Sequence, residues 1–336
     1  MDYLLLISLI LSALLTLSLL PKWIKVSKKV GLVWEDMNKF NHPKNVASSG
    51  GIIVLMAFIL GVLFYIFIKT FLYEDSSNVL EIFSLLSVIL ILAVIGLTDD
   101  LLGWKNGGLP ARIRLVLAFF AAIPLMVINA GYHMINFPFV GSIDIGVLYP
   151  LILIPIGIAG ATTTYNFLAG FNGLESGQGI LIISFLSFVA YSTGSPWLSV
   201  VGLCMVASLI VFYFYNRFPA KVFPGDIMTY SIGTLIAGMA ILGNFEKIAL
   251  FIFIPYICEV ILKSRGGFKK QSFAVSDKKG NLKLPYKKIY GLTHLSIFIL
   301  RKFKRKVNEK DVVRLIFAFQ IVICLLALFI FRNNLL

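Results

Sequence analysis

The sequence predicts an all-α, polytopic membrane protein: one integral domain over residues 1–336 with about ten transmembrane helices. Three observations lead there. The 336 residues are 59% hydrophobic with mean hydropathy +0.91, where soluble domains hold roughly 45–50% apolar residues. The apolar runs are continuous rather than alternating, which reads as helix in lipid. Basic residues collect in alternate connections, as the positive-inside rule requires of a chain that crosses repeatedly.

Taken in order, the expected spans are 3–20, 50–69, 81–98, 114–131, 147–165, 179–193, 197–215, 228–243, 247–262 and 312–331. The first follows Asp2 without a basic leader or a small-residue cleavage pattern, so a retained helix is expected rather than a signal peptide. Segment 21–49 holds six Lys, segment 99–114 holds Lys105, Arg112 and Arg114, and segment 216–227 holds Arg217 and Lys221. Segment 263–311 holds fifteen basic residues, whereas 70–80, 132–146 and 194–196 hold none. The basic connections are therefore expected on the cytoplasmic side of a cell membrane, with both termini outside. Segment 263–311 reads as a basic cytoplasmic loop, long enough to carry short elements over a site. Among 30 Lys and Arg against 16 acids, this distribution points to topology, anionic lipid and phosphate, not nucleic acid. Cys204, Cys258 and Cys324 lie in apolar runs without metal or redox spacing, so they read as core residues.

The polar clusters all follow odd-numbered spans and so share one face. LTDDLLG places Asp99 and Asp100 at the end of span three, a costly position unless the pair is solvated, paired or bound to a cation. FPGD places Asp226 at the start of span eight, where a helix cap is the plain alternative to a cation ligand. TTYNFLAGFNGLESGQ carries Asn166, Asn172 and Glu175 between two apolar runs, and amide oxygens suit a hard cation or a loop cap. Lys44 and the pair Gly50-Gly51 precede span two, where a helix start without side chains can admit a base or phosphate. In KSRGGFKKQSF, Arg265 can grip phosphate with two donors, while His294 stands alone in THLS. His42 and His133 are single as well, and neither a GxGxxG nor a Walker A pattern occurs. Carboxylates and amides that suit Mg²⁺, beside cations that suit phosphate, form the inventory of a phosphoryl transferase acting on a diphosphate.

These motifs resemble the polyprenyl-phosphate N-acetylhexosamine-1-phosphate transferases of glycosyltransferase family 4. NFLAGFNGLESGQG and FPGDIMTYSIG carry most of the resemblance, LTDDLLG supports it, and it covers nearly the whole chain. It implies attack of a lipid phosphate on the β-phosphate of a UDP-sugar, with release of UMP and Mg²⁺ (or Mn²⁺) on the diphosphate. By motif position it implies Asn166 and Asp226 as metal ligands and Asp99, Asp100 and Arg114 as catalytic residues. It implies Asn172 and Gly50-Gly51 as nucleotide contacts and Arg265 in the loop that holds the sugar diphosphate. Lys44, Glu175 and His294 complete the expected substrate-binding set. Ala169 replaces the acid that bacterial members carry, the bacterial His-rich loop is absent, and Arg114 stands where the family has Lys. The branch thus resembled is the archaeal and eukaryotic UDP-GlcNAc:dolichyl-phosphate enzyme. Its partners would be UDP-GlcNAc and a dolichyl-type lipid phosphate, with a homodimer admitted. Two alternatives stand beside it: an undecaprenyl-phosphate sugar-1-phosphate transferase of cell-wall synthesis and a secondary transporter. Transporters place ionisable groups at mid-membrane in repeated halves; here the acids fall at span ends and no repeat is seen.

Overall fold

The computed structural model describes residues 3–131, 134–137 and 141–332, which excludes His133. It is a helical bundle with small hairpins at its two ends. Among the described residues, six helices are long and apolar enough to cross a membrane: α1 (Tyr3–Val30), α2 (Gly51–Leu72), α3 (Val79–Asn106), α7 (Leu174–Ser192), α8 (Pro196–Asn216) and α13 (Glu309–Ile330). The chain is a multi-pass membrane protein.

Four of the ten expected spans are not single long helices, and proline explains three of them. Segment 114–131 divides into α4 (Ala111–Phe120) and α5 (Ile123–Val127), with Pro124 in the first turn of α5. Segment 147–165 opens with a π-helical turn at Tyr149–Leu153 containing Pro150, then continues as α6 (Ile154–Phe167) with Pro155 in its first turn. Segment 247–262 divides into α10 (Glu246–Ile252) and α11 (Ile254–Ser264), with Pro255 just after the break. Proline lacks the N–H that would continue the preceding turn and is tolerated where a helix begins. The fourth, α9 (Asp226–Leu242), is one helix of 17 residues. The expectation of a purely helical chain is also corrected, because among the described residues three two-stranded hairpins cap the bundle. They are β1 (Val33–Glu35) with β2 (Lys44–Ala47), β3 (Met134–Phe137) with β4 (Gly141–Asp144), and β5 (Val275–Ser276) with β6 (Leu282–Lys283). Segment 263–311 holds the last hairpin and α12 (Leu292–Phe303).

Helix α9 is the axis of the bundle. Ile227 through Ile241 are all buried, between α3 on one side and α6 on the other. Helices in lipid gain little from apolar burial and depend on close packing and interhelical hydrogen bonds. Both appear here. A side chain at Gly96 of α3 would strike the Asp226 backbone at 2.7 Å, and one at Gly233 of α9 would strike Thr162 Cα at 2.7 Å. The Thr162 and Thr234 hydroxyls meet at 3.1 Å between α6 and α9. This packing sets the first turn of α9 against the last turns of α3 and α6, where the polar clusters lie. Cys204, Cys258 and Cys324 are free thiols, with Cys204 fully buried.

Candidate active site

Successive residues of a helix point about a quarter-turn or more apart and do not face each other. Asp99 and Asp100 therefore serve different neighbours. Asp99, buried, accepts the Leu109 amide at 2.5 Å and pairs with the Arg114 guanidinium. It thereby folds the chain after α3 back onto it. Gly108 in that turn has φ +82°, and a side chain there would stand 2.6 Å from Asp99 Oδ1. Glycine at 108 meets both conditions.

Asp100 points to α9. Its carboxylate accepts the backbone amides of Asp226 at 2.7 Å and Ile227 at 3.4 Å. A helix start leaves its first amides unpaired, and a side-chain oxygen usually answers them from the preceding residue. Here that residue is Gly225, with φ +73° and no side chain. A β-carbon at 225 would collide with the Asp100 carboxylate. The cap of α9 thus comes from a residue 126 positions away, and Asp226, at the first helical position, is not its own cap. Its side chain is left to face Arg114, whose Nη1 lies 3.3 Å from Asp226 Oδ2. Arg114 stands one turn into α4 and reaches both carboxylates at once. Asn166, in the last turn of α6, accepts the Thr229 hydroxyl at 3.1 Å, which aims its amide oxygen toward the same helix start.

These groups line one cavity of about 680 Å³, together with residues of three loops: 34–37, 167–171 and 268–273. Among the described residues, its cations besides Arg114 are Lys263, Lys269 and Lys270. Lys263 lies 3.8 Å from the buried Glu259 and 5.4 Å from the centre of the Phe167 ring. Lys270 stands 5.0 Å over Tyr286. The three loops are tied by the segment between β1 and β2. Asn38 donates to the Gly170 carbonyl at 2.6 Å and accepts the Ala274 amide at 2.9 Å. Asp36 accepts the Asn172 side-chain amide at 3.1 Å, and Lys39 pairs with Asp36 and Glu309. Glu175 closes the 166–172 loop from within by accepting the Gly170 amide at 2.7 Å.

Of the residues singled out in the sequence, Asp99, Asp100, Arg114, Asn166, Glu175 and Asp226 line this cavity. The others sit elsewhere. Gly50 and Gly51 donate to the Phe223 and Pro224 carbonyls, each at 2.9 Å, and a β-carbon at 51 would stand 2.6 Å from Pro224 O. The space they leave admits the turn that leads into α9. Asn172 is buried behind the loop, with its backbone amide donating to Glu309 at 2.6 Å. Lys44 is exposed on β2. Arg265 is exposed just after α11 and does not line the cavity. His294 is buried, its Nε2 3.2 Å from the Phe273 carbonyl, and burial lowers its pKa. It supports the 268–273 loop from beneath. Lys263, Lys269, Lys270, Asp36 and Asn38 were missed. The lysines are legible in the sequence as charge but not as cavity groups, and the acid–amide pair in EDMN carries no motif spacing that marks it among the lysines of segment 21–49.

Among the described residues no group of three or more His, Cys, Asp or Glu could hold a metal ion. What the site offers is two carboxylates, Asp99 and Asp226, and the Asn166 amide oxygen beside a cavity large enough for a diphosphate. That oxygen set fits Mg²⁺, which commonly takes one or two carboxylates and completes its shell with water and substrate phosphates.

Comparison with known proteins places the chain. Residues 82–244 match the family model described as glycosyl transferase family 4. A protein of Saccharolobus solfataricus, provisionally named a UDP-N-acetylglucosamine–dolichyl-phosphate N-acetylglucosaminephosphotransferase, is 32% identical over 90% of this chain and 89% of its own. The enzyme of that name from Dictyostelium discoideum is 31% identical over 73% of this chain and 68% of its own. A phospho-N-acetylmuramoyl-pentapeptide-transferase of Streptococcus agalactiae is 27% identical over 74% of this chain and 76% of its own. Motifs, site and relatives agree, and the chain belongs to glycosyl transferase family 4.

Proposed function

We propose that this protein transfers N-acetylglucosamine 1-phosphate from UDP-N-acetylglucosamine to a dolichyl-type polyprenyl phosphate. The observation that carries this reading is the convergence of Asp99, Arg114, Asp226 and three lysines on one cavity at the end of membrane helices. A phosphate oxygen of the lipid attacks the β-phosphorus of the nucleotide sugar, the bond from that phosphorus to the bridging oxygen breaks, and UMP leaves. Lys263, Lys269 and Lys270 neutralise the nucleotide diphosphate, with Arg114 free to exchange its carboxylate contacts for a phosphate oxygen. Asp100 holds the first turn of α9, so that Asp226 is presented at a fixed place. Asp99, Asp226 and Asn166 are the residues that would hold Mg²⁺, and the ion would supply charge neutralisation for the diphosphate.

The dolichyl branch is supported by the archaeal and eukaryotic relatives, which are more similar than the muramoyl-peptide enzyme, and by Ala169 at the cavity wall. The basic connections at the cavity's end support a cytoplasmic site in a cell membrane, with ten crossings if the broken segments and α9 each complete one. Incubating the purified protein with labelled UDP-N-acetylglucosamine and dolichyl phosphate should give UMP and a lipid-linked sugar diphosphate. Turnover of UDP-N-acetylmuramoyl-pentapeptide at a comparable rate would overturn the substrate reading. In a cysteine-free background, a membrane-impermeant thiol reagent applied to intact cells should label Ser76→Cys and spare Ser276→Cys. The reverse would invert the topology.

A further inference from the structure

A second, smaller cavity of about 490 Å³ opens at the same end of the bundle, between the end of α8 and the start of α13. Arg217, Lys221, Lys310 and Arg314 line it, and all four are exposed. Among the described residues no carboxylate lines it and none of the four forms an ion pair within 4.0 Å. The nearby Asp311 is taken by Lys304 at 2.8 Å. Its remaining wall is largely aromatic: Tyr213 and Phe317, with ring centres 6.4 Å apart, face each other across α8 and α13. Phe218 adds a ring that carries Lys39 at 4.2 Å and Lys310 at 5.1 Å.

Four cations without an ion-pair partner among the described residues repel one another, and a surface that keeps them together is built for an anion. The place says which anion. Both α8 and α13 are helices apolar enough to cross a membrane, and the cavity lies where they leave it. An aromatic wall and an exposed Phe214 continue from it along the apolar flank. Basic pockets between helix ends at a membrane surface suit lipid head groups, whose acyl chains then lie against the helices. We propose that this cavity binds the phosphodiester head group of an anionic phospholipid, at a site separate from the reaction cavity. Asn172 forms part of its floor. The same residue is fixed through its backbone to Glu309 and through its side chain to Asp36. The lipid therefore sits behind the 166–172 loop and braces it from the membrane side.

The test is native mass spectrometry of the full chain in detergent with dioleoyl-phosphatidylglycerol or dioleoyl-phosphatidylcholine, with inorganic phosphate or dolichyl phosphate as competitor. The wild type should retain phosphatidylglycerol over phosphatidylcholine. Each basic side chain near an anionic head group contributes about fivefold, so Arg217→Gln/Lys310→Gln/Arg314→Gln should weaken retention roughly a hundredfold. A control that removes three lysines of segment 263–311 away from the cavity, Lys278→Gln/Lys279→Gln/Lys287→Gln, should retain it. Arg314→Gln alone, an exposed change on α13, should give the fivefold step even if the triple variant fails to fold. Equal retention by wild type and Arg314→Gln would overturn the proposal. So would displacement of the phospholipid by equimolar inorganic phosphate, which would make the site one for free phosphate, or by equimolar dolichyl phosphate, which would make it part of the substrate path.

Discussion

The reaction cavity and the cavity at the opposite end of the bundle are built differently. The one at the basic end holds about 680 Å³; the one at the other end, between the α2–α3 and α7–α8 connections, holds about 970 Å³. Among the described residues, the one charged pair at that larger cavity is local. Lys69 pairs with Asp75 at 3.0 Å and donates to Ser77, eight residues away. At the reaction cavity, beside nearby pairs such as Asp99–Arg114, other partners come from far along the chain: Arg114 and Asp226 are 112 residues apart, and Asn38 and Ala274 are 236 apart. A local pair shapes a loop and would form in almost any fold that kept the turn. A long-range pair forms only if the whole bundle is arranged to bring it together.

The comparison breaks most easily at Asp226. Asp226→Asn leaves the cap of α9 untouched, because Asp100 supplies it. The variant should melt like wild type yet release UMP at least about 100-fold more slowly, given the several kcal/mol a bound cation contributes to phosphoryl transfer. Near-normal turnover at low Mg²⁺ would remove Asp226 from the reaction. Asp100→Ala should come next, and it should cost both properties. Removing a cap lowers stability by about 1–2 kcal/mol, and losing an outer partner of a site commonly costs roughly 10–100-fold in activity. Asp100→Asn should recover part of each, since one amide oxygen can still accept; a thermal melt beside the UMP assay reads both.

A smaller effect is expected where loops rather than chemistry are held. Asn38→Ala frees the 166–172 and 268–273 loops from each other. Losing two hydrogen bonds, each worth about 1 kcal/mol, should raise KM for the nucleotide sugar about tenfold and change kcat less. An equal fall in kcat with KM unmoved would reassign Asn38 to the chemical step. Smallest of all is the opposite end. Lys69→Met should leave turnover within about twofold, since a partly exposed pair contributes little. Acid behaviour separates this end too. Hydrogen bonds from Ser77, with Lys69 beside it, hold the Asp75 carboxyl at about 2 against an ordinary 3.8. A depressed carboxyl stabilises the fold above its unfolded value and loses that contribution only as pH falls through the folded one. The α2–α3 connection should therefore keep its hydrogen-exchange protection down to about pH 4. Loss of that protection near neutral pH would show that the pair does not hold the connection.

Much of this was legible in the residues. Apolar run length marks the long helices because lipid admits no unpaired backbone, and the cytoplasmic bias of lysine groups the polar clusters at one end. Asp99, Asp100, Arg114, Asn166, Glu175 and Asp226 could be singled out because carboxylates and amides at the ends of apolar runs are costly without a task. Other features were not legible. Proline is visible in the sequence, but whether it breaks a span or begins one depends on what packs beside it, so α4–α5 and α10–α11 read as single crossings.

By itself the sequence determined the membrane class, the shared end of the polar motifs and the family, since composition, run length and motif spacing are local properties of the chain. Tertiary structure alone decided the division of labour at that end. Asp226 admitted both a cap and a cation ligand until Asp100, from another helix, was found capping α9 in its place. Gly50-Gly51 looked like room for a nucleotide until the Phe223–Gly225 turn was found filling it. Arg265 looked like the phosphate grip, whereas Lys263, Lys269 and Lys270 line the cavity. A residue's type states what it can bind, but its partner is whichever group the packing of distant segments brings within about 3 Å, and that distance is a property of the assembled bundle.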